Sequence, residues 1–406
     1  MYRISIHGVP EMTALSTMRS RFRLEALLVG LVSVVILILR TRHSINKLPA
    51  DPGYDYIYSA ATTGIGSWFN LDPYIHFGAH FLSWVVSLLP LQNQAAALTL
   101  LNHFIWSLCS IGIYVALKED GIGLWSRWCG ALSLVIIPVA AESGLGNVGN
   151  VKWPLITLAL VFCSSEAIFR FSKTSEIVLI LTGITNPLLA VALVPLALRY
   201  KTSDQSARRK LMLPAPTVCV TFLIQLIVVG FNSLGSGRGD SRILSPWPGM
   251  GIFWWYGLLG PILLSVGFLA LNHGFHFGPR SQLMTRISLT VPVLTLTSYF
   301  YGGIADRYFI APMALSWITS TFLAVEVGKS STRIPRILVC GTIFIGFVVP
   351  AAKWFSSSWY LTSGPMWTDE ITRAVDSCRS GKVSEVLQIG AGNQTELSCD
   401  YILQDS

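Results

Sequence analysis

Long apolar runs recur along the chain with only short polar loops between them, and no other feature constrains its fold so tightly. A helix needs roughly 20 apolar residues to cross the hydrocarbon of a bilayer, and fewer where the bilayer thins or neighbouring helices bury it. On that basis about eleven spans are predicted, at 26–40, 94–117, 129–142, 152–169, 176–185, 187–199, 213–232, 250–271, 287–302, 308–327 and 335–352. Only 12% of the residues are charged, where a soluble chain carries about 25%. The fold class is therefore all-α, a polytopic transmembrane helical bundle. The first run follows Arg19, Arg21 and Arg23 and lacks a small-residue cleavage site, so it reads as a helix that stays in place.

The formal net charge of +8 fits the Lys and Arg of cytoplasmic loops better than a nucleic-acid surface. Arg3, Arg19, Arg21 and Arg23 place the N-terminus inside. Arg199, Lys201, Arg208, Arg209 and Lys210 form the strongest inside signal, and Arg280, Arg286, Lys329, Arg333 and Arg336 mark two further inside loops. An odd number of spans then puts the C-terminal tail outside. Two regions allow alternatives. The run from Tyr74 to Pro90 is either a short span or an amphipathic helix at the outer interface. The run from Glu176 to Arg199, broken at Thr185-Asn186-Pro187, is either one kinked span or a short hairpin. An interfacial 74–90 with a 176–199 hairpin puts Lys118, Arg127, Arg170 and Lys173 inside, and is preferred. The chain then divides into a transmembrane module over 1–352, whose first external loop is 41–93, and a small extracytoplasmic tail over 353–406. Cys378 and Cys399 lie in that tail and could pair if it is outside.

The acids gather in the predicted external loops. Asp51, Asp55 and Asp72 lie in the first, with His76 close behind. A carboxylate there serves as a general base if burial or a partner tunes it; the plainer reading is a solvated loop acid, or a cap before Pro73. Glu142 ends an apolar run, where an acid is costly unless it faces water or a partner. It opens the stretch Glu142-Ser-Gly-Leu-Gly146-Asn147-Val-Gly149-Asn150-Val-Lys152-Trp153. Asn147 and Asn150 bring amides suited to hydroxyl-rich ligands, or merely end one helix and start the next. Arg307, with Tyr308 after it, opens a late span on the outside, against the positive-inside bias. Its planar fork suits a phosphate; the alternatives are an ion pair with Asp306 or snorkelling to headgroups. Lys152, Arg238 and Arg242 are weaker phosphate candidates. His80, His103, His273 and His276 show no metal spacing, and the tryptophans near predicted interfaces read chiefly as an aromatic belt.

Taken together, these features resemble the GT-C superfamily of membrane glycosyltransferases, and within it a bacterial multi-pass family with a motif like Glu-x-x-x-Gly-Asn-x-x-Asn-x-x-Trp between two spans. The Arg307-Tyr308 pair opening a late span, and a tail with Trp367 and Asp369 ahead of Cys378 and Cys399, carry the same resemblance. It implies a GT-C-like bundle that moves a sugar from a polyprenyl-phosphate donor to a glycan, lipid or protein acceptor, with inversion, at the outer face of a bacterial inner membrane. By the same analogy Asp55, or else Asp51, deprotonates the acceptor. Glu142, Asn147 and Asn150 orient sugar or base, Trp153 and His76 line the site, and Arg307 with Tyr308 holds the departing phosphate. The paired adjacent acids common in such first loops are absent: Asp51 and Asp55 are four apart. Some related enzymes require a divalent metal, magnesium or manganese; the scattered acids do not establish one. The competing reading is a transporter or flippase of lipid-linked oligosaccharides, which normally carries charge at mid-membrane.

Overall fold

The computed structural model describes residues 10–48, 53–69, 74–137, 145–236, 260–274, 280–302, 306–328, 364–390 and 394–404. Helix α1 (Pro10–Thr41) leads into α2 (Gly53–Thr63), α3 (Phe77–Ser87), α4 (Gln94–Glu119) and α5 (Leu124–Ile136). Then come α6 (Lys152–Ser164), α7 (Ser172–Thr185), α8 (Leu193–Thr202), α9 (Pro214–Ser236), α10 (Gly260–Gly274), α11 (Arg280–Gly302) and α12 (Ile310–Gly328). Among the described residues four helical segments are long and apolar enough to cross a membrane: Phe22–Thr41, Leu91–Glu119, Gln205–Gly230 and Arg307–Glu326. The predicted spans 129–142 and 152–169 correspond to helices of 13 residues each, α5 and α6, and 335–352 lies outside the described residues.

Burial sorts these helices. The segment ending in α12 has 83% of its span buried, whereas those containing α1 and α9 have 28%. Helix α12 is thus the central post, packed on α5, α10 and α11, while α1 and α9 present Leu, Ile and Val outward. Apolar side chains gain little by leaving lipid, so membrane helices associate through close approach and polar contacts. A Cβ added at Gly112 on α4 would stand 2.6 Å from Leu158 Cδ1 on α6. Tyr114 on α4 donates its hydroxyl to Glu25 of α1 at 2.7 Å. Arg40, at the end of α1, donates to the carbonyls of Val135 and Ile137, which the end of α5 leaves without helical partners.

The two regions that allowed alternatives now have definite local structure. Helix α3 has only 11 residues. Helix α7 stops at Thr185, a 3-10 turn covers Pro187–Ala192, and α8 follows. Asn186 makes the break: its side-chain oxygen accepts from Leu188 N at 2.8 Å, with Pro187 at the first position of the turn. This is an N-cap followed by the one residue that needs no amide partner there.

The tail forms a small α/β unit: α13 (Trp367–Arg379), an antiparallel hairpin of β1 (Ser384–Gln388) and β2 (Gln394–Ser398) in register Ser384↔Ser398, and α14 (Cys399–Gln404). A disulfide joins Cys378 to Cys399. The unit docks through Trp367, whose indole donates to Leu91 O at 2.8 Å and whose amide donates to Asn46 O at 2.8 Å. Gly390 N donates to Leu48 O at 3.0 Å. The hydrophobic cluster beneath it runs from the tail through α2, α3 and the start of α4 to Val148 and Val151.

Candidate functional site

The turn singled out by sequence is built as a rigid shelf. Gly146 takes φ +78°, a left-handed conformation that suits glycine. Asn147 then turns the chain: its Oδ1 accepts from Gly149 N at 2.9 Å, and its carbonyl accepts from Asn102 Nδ2 of α4 at 3.1 Å. Asn150 Oδ1 accepts from the Trp153 indole at 3.1 Å. Both asparagines and Trp153 are buried, and both side-chain carbonyls are engaged in holding the turn. Trp153 meets Tyr308 edge to face, ring centres 5.4 Å apart, which brings the start of α6 against the start of α12.

Lys152 is the residue whose place the sequence least disclosed. It is the first residue of α6 and only 6% exposed. A helix N-terminus carries partial positive charge and disfavours a cation, and burial penalises it further. The other end of α6 is the natural place for such groups, and there Arg199 and Arg286 both donate to Ser164 O, at 2.8 and 3.0 Å. Arg199 also pairs with Glu166. Beside them, burial pushes the Asp120 carboxyl up to about 7. That cluster closes a helix end. Lys152 closes none. Its ammonium donates to the Tyr74 hydroxyl at 2.8 Å and lies near the rings of Trp153 and Tyr308, 5.4 and 5.9 Å from their centres. Such rings stabilise a dehydrated cation.

The same rings connect the other groups. The Arg307 guanidinium lies 5.6 Å from the Tyr308 ring centre. Tyr74 packs against His76 with the rings tilted by 33° and their centres 3.9 Å apart. Tyr56 of α2 packs against His76 at 5.9 Å and edge-on against His80 at 4.7 Å. Burial, then the Lys152 charge, then His80 hold the His76 imidazole well below its ordinary pKa, so it is neutral at pH 7. Among the described residues its buried Nδ1 has no hydrogen-bond partner.

His76, Trp153, Arg307 and Tyr308 therefore converge with Lys152, on the shelf that Asn147 and Asn150 hold. Asp51 and Glu142 lie outside the described residues; Asp55 falls in the first turn of α2, its side chain outside them. Among the described residues no three His, Cys, Asp or Glu side chains gather as a metal site requires. Tyr74 and Tyr56 were not foreseen. The available signal was a lysine at a helix start inside an apolar run, an arrangement with no local reason.

No family model and no curated protein matches the chain. Among solved structures it is similar to the crystal structure of the oligosaccharyltransferase of Archaeoglobus fulgidus in the apo form. The TM-score is 0.50 and the identity 12%, over 88% of this chain. The chain spans 58% of that protein's length. At this identity the likeness concerns the fold alone.

Proposed function

We propose that this chain is a membrane glycosyltransferase that moves a sugar from a polyprenyl-phosphate donor to a glycan, lipid or protein acceptor at the outer face of the membrane. The observation that carries the reading is the convergence of Lys152 and Arg307 on the ring of Tyr308. Two cations held beside aromatic faces, largely out of water, form a site for a doubly charged leaving group. Glycosyl transfer from such a donor expels a phosphate or diphosphate, and fixed positive charge stabilises the negative charge as it develops. The GT-C-like fold supports glycosyl transfer in general.

In this reading Arg307 binds two phosphate oxygens through its fork, and Lys152 neutralises the remaining charge as a point donor. Neutral His76 and Tyr74 complete the wall next to the sugar. Asp55, or in its place Asp51, accepts the proton of the attacking hydroxyl, and attack opposite the departing phosphate inverts the anomeric carbon. Glu142 orients the sugar or the base. The reading needs no metal step; if a magnesium or manganese ion binds, the first-loop acids and Glu142 are the groups it would call on.

The test is carrier-phosphate release by the purified protein in lipid from a panel of polyprenyl-phosphate sugars. Loss of one charge-assisted contact costs about 1.5–3 kcal/mol, so Arg307→Ala and Lys152→Met are each expected to lower donor turnover roughly 10- to 100-fold. Asp55→Asn, Asp51→Asn and Glu142→Gln run beside them to rank the base. If the wild type releases nothing from any donor yet binds lipid-linked glycans, the transporter reading replaces this one.

A further inference from the structure

Gln225 is a fully buried side-chain amide in the middle of α9, surrounded in sequence by Phe, Leu, Ile and Val. A polar side chain inside a span is costly unless it finds partners, so what it bonds to is informative. Among the described residues its three hydrogen bonds all go to backbone. Gln225 Oε1 accepts from Ile75 N at 3.1 Å, and Nε2 donates to Ile75 O at 3.2 Å and to Gly183 O at 2.9 Å. The amide thus pairs with both polar groups of one residue, as a neighbouring strand would, and takes up a carbonyl near the end of α7. Only one orientation of the amide serves all three.

The residue it grips lies between two members of the site. Tyr74, on one side of Ile75, accepts the Lys152 hydrogen bond; His76, on the other, packs against Tyr74. The His76 side chain does not cap α3. Its Gly78 amide instead donates to Thr185 Oγ1, at the end of α7, at 3.2 Å. Helices α7 and α9 therefore hold the irregular entry to α3 at two points, and they touch closely to do so: a Cβ at Gly183 would lie 2.3 Å from Thr221 Oγ1. Irregular backbone among membrane spans persists only where protein groups satisfy it.

We infer that Gln225 is a positioning residue, which fixes the Tyr74–His76 segment and through it the attitude of Lys152 toward the donor phosphate. This rests on the glycosyl-transfer reading. Placement matters at that scale, because a shift of 1 Å in a reacting geometry can cost about 100-fold in rate.

The experiment compares wild type, Gln225→Leu, Tyr74→Phe and the double variant in lipid nanodiscs, by amide hydrogen exchange and by donor turnover. Gln225→Leu is expected to raise exchange at Ile75 and Gly78 at least about 10-fold while the interior of α9 stays protected. It is expected to lower kcat about 10- to 100-fold with donor KM changed less than about 3-fold. Tyr74→Phe is expected to cost little more in the Gln225→Leu background, because both changes remove the same placement. Unchanged exchange at Ile75 overturns the inference. So does raised exchange with wild-type kcat, and so do losses that multiply in the double variant. If the wild type turns over no donor, the glycosyl-transfer reading fails separately, and exchange at Ile75 and Gly78 alone decides whether Gln225 holds this segment.

Discussion

Lys152 sits where a helix disfavours positive charge, and its stem is out of water. The Tyr74 hydroxyl and the rings of Trp153 and Tyr308 offset part of that cost. Replacing a buried polar pair whole is often neutral, whereas removing one member leaves the other unsatisfied. Lys152→Met is therefore expected to lower the thermal midpoint by a few degrees, through loss of the Tyr74 bond, while weakening binding of a polyprenyl phosphate. The same change removes one of the charges that depress His76, so its pKa should move up toward the ordinary value. Histidine NMR across a pH series reads that shift. A midpoint that falls by many degrees would mean the ammonium is a structural tie and would remove the main support for an anion site here.

The break between α7 and α8 depends on one small cap. Asn186 is fully buried, and its Oδ1 is the acceptor found for Leu188 N. Removing a cap of this kind costs about 0.5–2 kcal/mol, so Asn186→Ala should lower stability by that amount, read by chemical denaturation in detergent. The effect should also reach the site, since Thr185 next to it holds the Gly78 amide of α3; a stability loss with no change in exchange at Gly78 would separate the two roles. At this scale much was legible beforehand. The run read at 94–117 falls within α4, that at 213–232 matches most of α9, and that at 308–327 matches most of α12 with the turn before it, because an apolar run needs no distant partner to declare itself. Thr185-Asn186-Pro187 declared its break for the same reason: cap and proline act on adjacent residues. What stayed hidden was long-range pairing. Lys152 meets Tyr74 across 78 positions, and Gln225 meets Ile75 across 150. The odd place of Lys152 at a helix start is visible locally, but no local pattern names Tyr74 as its partner or Ile75 as that of Gln225. The asparagines of the shelf were recognised as a motif, but their turn-holding bonds depend on local geometry that composition does not specify.

Across the whole molecule, the disulfide-bonded tail and the shelf share one hydrophobic cluster, so the last described residues help shape the end of the bundle that carries the site. Trp367 is the anchor, 2% exposed and hydrogen-bonded through both its indole and its amide. The tail also carries its own acid sensitivity. Glu385 is buried beneath three donors: Lys382 at 2.8 Å, Ser377 at 2.9 Å and Arg373 at 2.5 Å. The hydrogen bond from Lys382, then that from Ser377, outweigh burial and hold its carboxyl down to about 2, from an ordinary 4.5. A carboxylate depressed on folding contributes stability that is complete above its unfolded value and disappears as pH falls through its folded one. Between about pH 4.5 and 2, therefore, the tail should loosen before the membrane helices do. Glu385→Gln should be less stable than wild type at neutral pH and should lose most of that pH dependence. Exchange at Trp367, Leu387 and Leu397, followed as pH is lowered, reads the tail, while exchange within α12 reads the bundle. If Val148 and Val151 lose protection along with the tail, the cluster beneath it supports the shelf; if they keep it, the tail is a separate appendage that only rests there.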